Sequence, residues 1–335
     1  RGQKHSKELR ERTEPQLQWT AQKKEILDHE KGEDFNKVND FNDNNCATNP
    51  VILKNTKAKG KVKNTKINIL TSNMCGFKSK NGSLANILND KNIDIACISE
   101  THCEGDSIPE VKGYVTYHRN RQNNKAKGGI AILFKKSLAQ WVIKLESGLD
   151  NNEFFACKIS CFEPEMVLVL HYGVIENRFS TNEVLTMQTE VFNTNRNYSE
   201  EGMDVFYTGD LNVHFGDEGK LRGNNPLKSP GGKNLLKFIE LENLYLSNWD
   251  NKNHTHWDRS AGHSNILDIM VSNAQDKIES FEVDTNLNFT PYRVRKVKGG
   301  LQKKFTDNLS LLTTVKTQVK TSLNTQKITS WNYYK

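Results

Sequence analysis

The chain has 335 residues, 35% hydrophobic and 26% charged; 47 Lys plus Arg against 40 Asp plus Glu give a net charge of +7 and a pI near 8.9. That is apolar material for one sizeable core, and the mild basic excess fits a polyanionic partner as well as it fits a stray basic tail. No apolar run approaches the ~20 residues of a membrane span and no apolar signal segment opens the chain, so an intracellular protein without a membrane partner is expected.

Residues 1–65 are rich in Lys, Asn, Asp and Glu and weakly periodic, the pattern of a flexible N-terminal extension. Within it Glu8 to Leu27 has helical composition but no strong apolar stripe to dock a helix. The basic run KNTKAKGKVKNTK, Lys54 to Lys66, reads either as a solvated spacer or as a nuclear-localisation or DNA-tethering segment. The first methionine is Met74, so a fragment or processed product is expected.

From Ile67 short apolar strands alternate with helical stretches. INILTSN is a buried strand, and GSLANILND a short helix with Ser83 as its N-cap. IDIACISE, GGIAILFK, EFFACKIS, MVLVLHYG and DVFYTGD are further strands, helices fit Thr181–Asn195 and Lys233–Leu244, and ILDIMVSN and LSLLTTVK supply late strands. Many strands with few helices and no regular βαβ alternation argue for two packed sheets with helices outside. The expected domain is 66–316; residues 317–335, ending in SWNYYK, form a linker toward a missing downstream domain.

Six cysteines, at positions 46, 75, 97, 103, 157 and 161, match no zinc spacing and no disulfide framework. Cys157 and Cys161, four apart in FFACKISCF, are expected on one strand face as buried thiols, with a redox or metal role as the rival reading.

The strands repeatedly finish on carboxylates or amides. Asn73 ends INILTSN, Glu100 ends IDIACISE, Tyr172 closes MVLVLHY, and Asp210 and Asn212 follow DVFYT. Asp268 lies in SNILDIMV, and Asp307 and Asn308 precede LSLL. One strand-terminal Asp is usually a turn former or cap. An ordered series of carboxylates on rigid mounts instead points to a shared cation or proton.

This ordered series, Asn73/Gly76, SETH, HYG, GDLN, Thr255, SNILD and TDN, resembles the endonuclease/exonuclease/phosphatase superfamily from about Ile67 to Val315. SETH, GGIAIL and GDLNVH followed by GGKNLLKFIELENL are most similar to the AP-endonuclease-like domain of non-LTR retrotransposons. Tyr172, where DNase I has a His, favours that branch. The resemblance implies an α/β, DNase I-like four-layer sandwich of two packed mixed β-sheets flanked by helices. It also implies a Mg²⁺ cofactor (Mn²⁺ as substitute), double-stranded DNA as substrate, fusion to a reverse transcriptase and a nuclear location. Its activity would be a nick that primes target-primed reverse transcription; the alternatives are AP-endonuclease repair and a catalytically dead DNA-binding module.

By the same resemblance Glu100 with Asn73 would hold the metal, Asp210 would orient or deprotonate water, and Asn212 would hold Asp210 and the phosphate. Tyr172 would donate to a phosphoryl oxygen, Asp268 would steady the site, and Thr255 and Ser264 would support it. The pattern breaks at Asn308: the resemblance implies an Asp–His pair at 307 and 308, in which Asp307 would orient an imidazole that stabilises or protonates the phosphate, whereas an amide neither carries a positive charge nor transfers a proton near neutrality. Decay, domestication or deliberate inactivation would each produce it. HWDRSAGHSNIL matches the position of a DNA-inserting hairpin, with Trp257, Arg259 and His263 as contacts or as an ordinary solvated hairpin. PYRVRKVKGGLQKKF concentrates Arg293, Arg295, Lys296, Lys298, Lys303 and Lys304 before Asp307, as a backbone clamp or merely a soluble loop.

Overall fold

A computed structural model describes residues 63–105, 107–120, 128–145, 152–175, 178–216, 228–250, 253–258, 263–285, 287, 289, 295–297, 300–302 and 308–320. In chain order its strands are β1 (Lys63–Asn73), β2 (Ile95–Ser99), β3 (Tyr114–Arg119), β4 (Ile130–Lys135), β5 (Val142–Lys144), β6 (Glu153–Ile159), β7 (Met166–Tyr172) and β8 (Asp204–Asp210). There follow β9 (Tyr245–Leu246), β10 (His256–Asp258), β11 (His263–Asn265), β12 (Asp268–Ser272), β13 (Ile278–Asp284), β14 (Arg295–Val297), β15 (Gly300–Gln302) and β16 (Ser310–Val319). The helices are α1 (Asn81–Asp90), α2 (Lys136–Ala139), α3 (Thr181–Glu200) and α4 (Pro230–Leu241).

Two six-stranded mixed sheets form, in the orders β13-β16-β1-β2-β4-β3 and β5-β6-β7-β8-β12-β9. Their inner faces share one core: Ile69, Cys97, Ile132 and Phe134 from the first sheet meet Phe155, Leu168, Leu170 and Met270 from the second. The outer face of the first sheet packs Leu70, Ile98 and Leu133 against Leu84 and Leu88 of α1. The outer face of the second packs Val169, Tyr207 and Val271 with Phe192 of α3 and Phe238 of α4. Both sheets are thus covered on both sides, which gives the four layers and explains why strands such as MVLVLHY are apolar without alternation. Among the described residues no helix is long and apolar enough to cross a membrane.

Three local expectations are corrected. Ser83 is not the cap of α1: the helix begins at Asn81, and the Ser83 hydroxyl donates to the Lys80 carbonyl at 3.2 Å. The helix expected at Lys233–Leu244 starts three residues earlier, where Ser229 accepts from Gly232 N–H and Pro230 fills the first turn, and it is closed by Asn243 at φ 51. Cys161 lies in the turn beyond β6, not on its face, because the strand stops at Ile159 and Ser160 N–H goes to the Trp141 carbonyl. Cys157 and Cys161 still pack in the same core, and burial pushes their thiols up to about 12 and about 11. β1 and β16 begin and end three residues outside the bounds 66 and 316.

Candidate active site

Parallel pairing brings the polar strand ends together. β1 runs parallel to β2 and β7 parallel to β8, so Asn73, the residue after Ser99, Tyr172 and Asp210 all emerge at C-terminal strand ends. The two sheets are joined just beneath by Thr71 Oγ1 and Thr208 Oγ1, 2.9 Å apart. β12 is antiparallel to β8, so its first residue, Asp268, lies opposite the last, Asp210. Gly173 and Gly209 permit this closeness: a methyl group on either would collide with the carbonyl of Leu211 or His171.

The turns leaving the strands are tight. Glu100 and Asn212 take left-handed φ values of 51, a conformation uncommon without glycine. It is held by cross-turn bonds: Gly76 N–H to Glu100 O at 2.8 Å, Phe77 N–H to Thr101 O at 2.7 Å, and Leu211 N–H to Leu267 O at 2.8 Å.

The side chains form one network. Asn73 Nδ2 donates to Glu100 Oε1 at 3.0 Å and to Asp210 Oδ2 at 2.7 Å, while its Oδ1 accepts from Cys75 N–H at 3.0 Å. Tyr172 donates its phenol to Glu100 Oε1 at 2.8 Å. Asn212 holds Asp210 Oδ1 with its backbone N–H at 3.1 Å, and its Nδ2 donates to Gly173 O at 2.9 Å. Thr255 Oγ1 accepts from Leu267 N–H at 2.9 Å and Asp268 N–H at 3.0 Å. Asp268 is 1% exposed; the Thr255 hydroxyl beside it favours its charged form, but among the described residues no well-aligned hydrogen bond reaches either carboxylate oxygen.

Burial and then the Glu100 charge push the Asp210 carboxyl up to about 6, against the relief given by Asn73 and Asn212. Burial and then the Asp210 charge raise Asp268 well above the usual carboxylate range. Burial, then Glu100 and Asp210, raise the Tyr172 phenol so far that it stays protonated. Three carboxylates in one partly dry site are the donor chemistry of a hard divalent cation. Glu100 is the one that opens to solvent, its side chain 22% exposed. As placed, Asn73 offers that site its amide NH₂, since an amide between two carboxylates satisfies both by donating. Ligation through its oxygen would require releasing Cys75 N–H.

The segment around Trp257 and His263 is a hairpin, β10 paired antiparallel with β11, and Arg295 and Lys296 lie in a ribbon where β14 pairs with β15. The side chains of Trp257, His263, Ser264, Arg295 and Lys296, and the whole of Arg259, Arg293, Lys298, Lys303, Lys304 and Asp307, lie outside the described residues. Asn308 is described: its backbone bridges His256, and the next residue, Leu309, donates N–H to Thr255 O at 2.7 Å. Thr255 therefore ties the backbone beside Asn308 to the backbone of Asp268.

Sequence reasoning missed Lys80, whose buried ammonium donates to the Met74 and Cys75 carbonyls and clamps the turn after Asn73. It also missed Cys75 and His102; the latter, visible in SETH, places Nε2 3.2 Å from Glu100 Oε2.

Comparison with known proteins agrees with this geometry. Residues 70–266, more than half of the chain, match the Endonuclease/Exonuclease/phosphatase family. The chain is 38% identical over 76 residues to a probable RNA-directed DNA polymerase from transposon X-element of Drosophila melanogaster, a match spanning 22% of this chain and 8% of that protein. Its fold is similar to an AP endonuclease from Archaeoglobus fulgidus (TM-score 0.55, 16% identity, 74% of this chain and 98% of that one). It is likewise similar to the endonuclease domain of TRAS1, a telomere-specific non-LTR retrotransposon (TM-score 0.54, 16% identity, 74% and 98%).

Proposed function

Because this chain belongs to the endonuclease/exonuclease/phosphatase family, whose nucleases generally use divalent metal ions, we propose that it is a Mg²⁺-dependent endonuclease that nicks double-stranded DNA. The nick would leave a 3′-hydroxyl primer for target-primed reverse transcription, with the chain joined in nature to a reverse transcriptase and working in the nucleus. The observation that carries this reading is the gathering of Glu100, Asp210 and Asp268 at one end of the sheets, with Asn73 bridging the first two and no cationic side chain reaching Asp210 or Asp268 among the described residues. Such a cluster is costly unless a cation is part of its working state. The X-element relative and the TRAS1 likeness support the retrotransposon context.

Glu100 would hold the metal, with Asn73 beside it. A bound Mg²⁺ would supply charge neutralisation on the phosphate and a more acidic water. Asp210, with its carboxyl near 6, is mostly ionised at neutral pH and still basic enough to take a proton from an attacking water. Asn212 keeps Asp210 aimed through its backbone N–H. Tyr172 acts as a donor to a phosphoryl oxygen, because a phenol raised this far is never a phenolate at physiological pH. The hairpin β10–β11 and the ribbon β14–β15 would meet DNA.

Asn308 stands where a histidine would complete the site, and it limits turnover. A ring there would be oriented by Asp307, and Thr255 ties this stretch of backbone to that of Asp268; an amide offers neither carboxylate a charge. Incubation with Mg²⁺ of supercoiled plasmid in one arm and a duplex carrying an abasic site in the other tests the reading. Nicked plasmid supports it; cleavage confined to the abasic duplex would make the chain a repair enzyme instead. Tight duplex binding with no cleavage even after the histidine is restored would make it a DNA-binding module.

A further inference from the structure

The turn that mounts the carboxylates also gathers ligands of another kind. Cys75, Glu100 and His102 each offer one ligand atom, and these atoms all lie within 4.8 Å of one another. The three residues come from two separate turns, one after β1 and one after β2, zipped together by the Gly76–Glu100 and Phe77–Thr101 backbone bonds. Gly76 leaves room for the imidazole: even a methyl group there would be 3.6 Å from His102 Nδ1. Lys80 fixes the Cys75 carbonyl from below at 3.1 Å, and the Cys75 side chain is exposed, so an ion has a path from solvent.

We propose that Cys75, Glu100 and His102 form a site for a soft or borderline divalent cation, zinc being the chemical type, and that an ion bound there competes with Mg²⁺ for Glu100. The competition rests on the reading of Glu100 as the Mg²⁺ ligand; the binding does not. One thiolate, one imidazole and one carboxylate suit zinc, with an open fourth position for water. Zinc bonds of about 2.0–2.3 Å at tetrahedral angles set the ligand atoms roughly 3.4–3.6 Å apart. The Glu100–His102 pair is already that close at 3.2 Å. The widest pair must close by about 1 Å, within the reach of side-chain rotation on a fixed backbone. Mg²⁺ prefers oxygen ligands at near-ideal octahedral geometry and does not take the thiolate. Binding releases the thiol proton to solvent and requires a neutral imidazole, so affinity rises with pH.

The test is a Co²⁺ titration of the full chain, followed by the thiolate-to-cobalt charge-transfer band in the near ultraviolet. The band should appear in the wild type and in Cys103→Ser, disappear in Cys75→Ser, and need at least tenfold more Co²⁺ in His102→Asn. No band in the wild type, or an unchanged band in Cys75→Ser, would overturn the site. If Cys75→Ser loses its far-ultraviolet circular dichroism, His102→Asn decides alone, and unaltered Co²⁺ affinity there is equally fatal. Calorimetric Mg²⁺ titration with and without one equivalent of Zn²⁺ should then show at least a tenfold loss of Mg²⁺ affinity in the wild type. Equal Mg²⁺ affinity in both would refute the competition. Should Glu100→Gln leave Mg²⁺ binding unaltered while the cobalt band stands, the fault lies with the Mg²⁺ reading and not with the soft-metal site.

Discussion

Asp210 and Asp268 are opposed as the end pair of β8 and β12, both in the protein interior; the Asp210 carboxylate accepts from Asn73 and Asn212, while among the described residues the Asp268 carboxylate has only the Thr255 hydroxyl to relieve it. Two carboxylates so placed cannot both ionise cheaply without a counter-charge. Of the two, Asp268 has the less relief from its surroundings.

If a histidine at 308 completes the site, Asn308→His should raise plasmid nicking with Mg²⁺ by about 10²–10⁴, the usual contribution of a proton-transferring or charge-stabilising group. Equal nicking by the two proteins would remove residue 308 from the chemistry.

Glu100→Gln should weaken Mg²⁺ at least tenfold, about 1.4 kcal/mol, in a calorimetric titration. In chelator its melting temperature should stay level or rise slightly, because the Glu100 charge raises the carboxyls of both Asp210 and Asp268. A marked loss of thermal stability would show Glu100 to be a packing residue instead.

Stability without metal should fall as pH rises from about 4 to above 6. A carboxyl held near 6 in the fold, against ~3.9 unfolded, binds its proton more tightly when folded. Its stabilising contribution is complete below the unfolded value and lost through the folded one, on the order of 3 kcal/mol. Asp268, raised by the same causes, acts in the same direction. Asp210→Asn should flatten the dependence measured by urea denaturation in chelator. Identical slopes in mutant and wild type would mean that Asp210 does not carry it.

Replacing Arg293, Arg295, Lys303 and Lys304 by Ala should flatten the dependence of log K on log salt by up to about 3.6, at ~0.9 per phosphate on duplex DNA. Affinity should fall equally for preferred and random duplexes, since phosphate contacts carry no sequence information. Changes at Trp257 and Arg259 should instead move the preferred nick site. An unaltered slope in the fourfold variant would make the segment a bystander.

The central strands were legible because both faces of each sheet are covered, which turns β6, β7 and β8 into unbroken apolar words. Edge strands were not. Tyr114–Arg119 and Ile278–Asp284 are largely half-buried or exposed and carry polar and charged residues without clean alternation, so YVTYHR and IESFEVD do not announce themselves. The start of α4 was hidden by Gly231 and Gly232, which read as a turn; in the fold Gly232 lies against the His214 carbonyl, where no side chain fits. Asn73, Glu100, Tyr172, Asp210 and Asp268 stood out as polar residues at strand ends, and parallel pairing collects such ends. Cys75 and His102 were invisible as a pair, because no spacing rule links residues that only a zipped double turn brings together.

The antiparallel pairing of β1 with β16 sets Lys63 beside Val319. Whatever polypeptide precedes the one and follows the other therefore departs from adjacent points at the same end of the sheet. Polypeptide joined at these two points could be exchanged, lengthened or joined end to end without pulling on the carboxylates. A circular permutant closed there by a short linker, and opened in an exposed turn elsewhere, would keep both sheets whole.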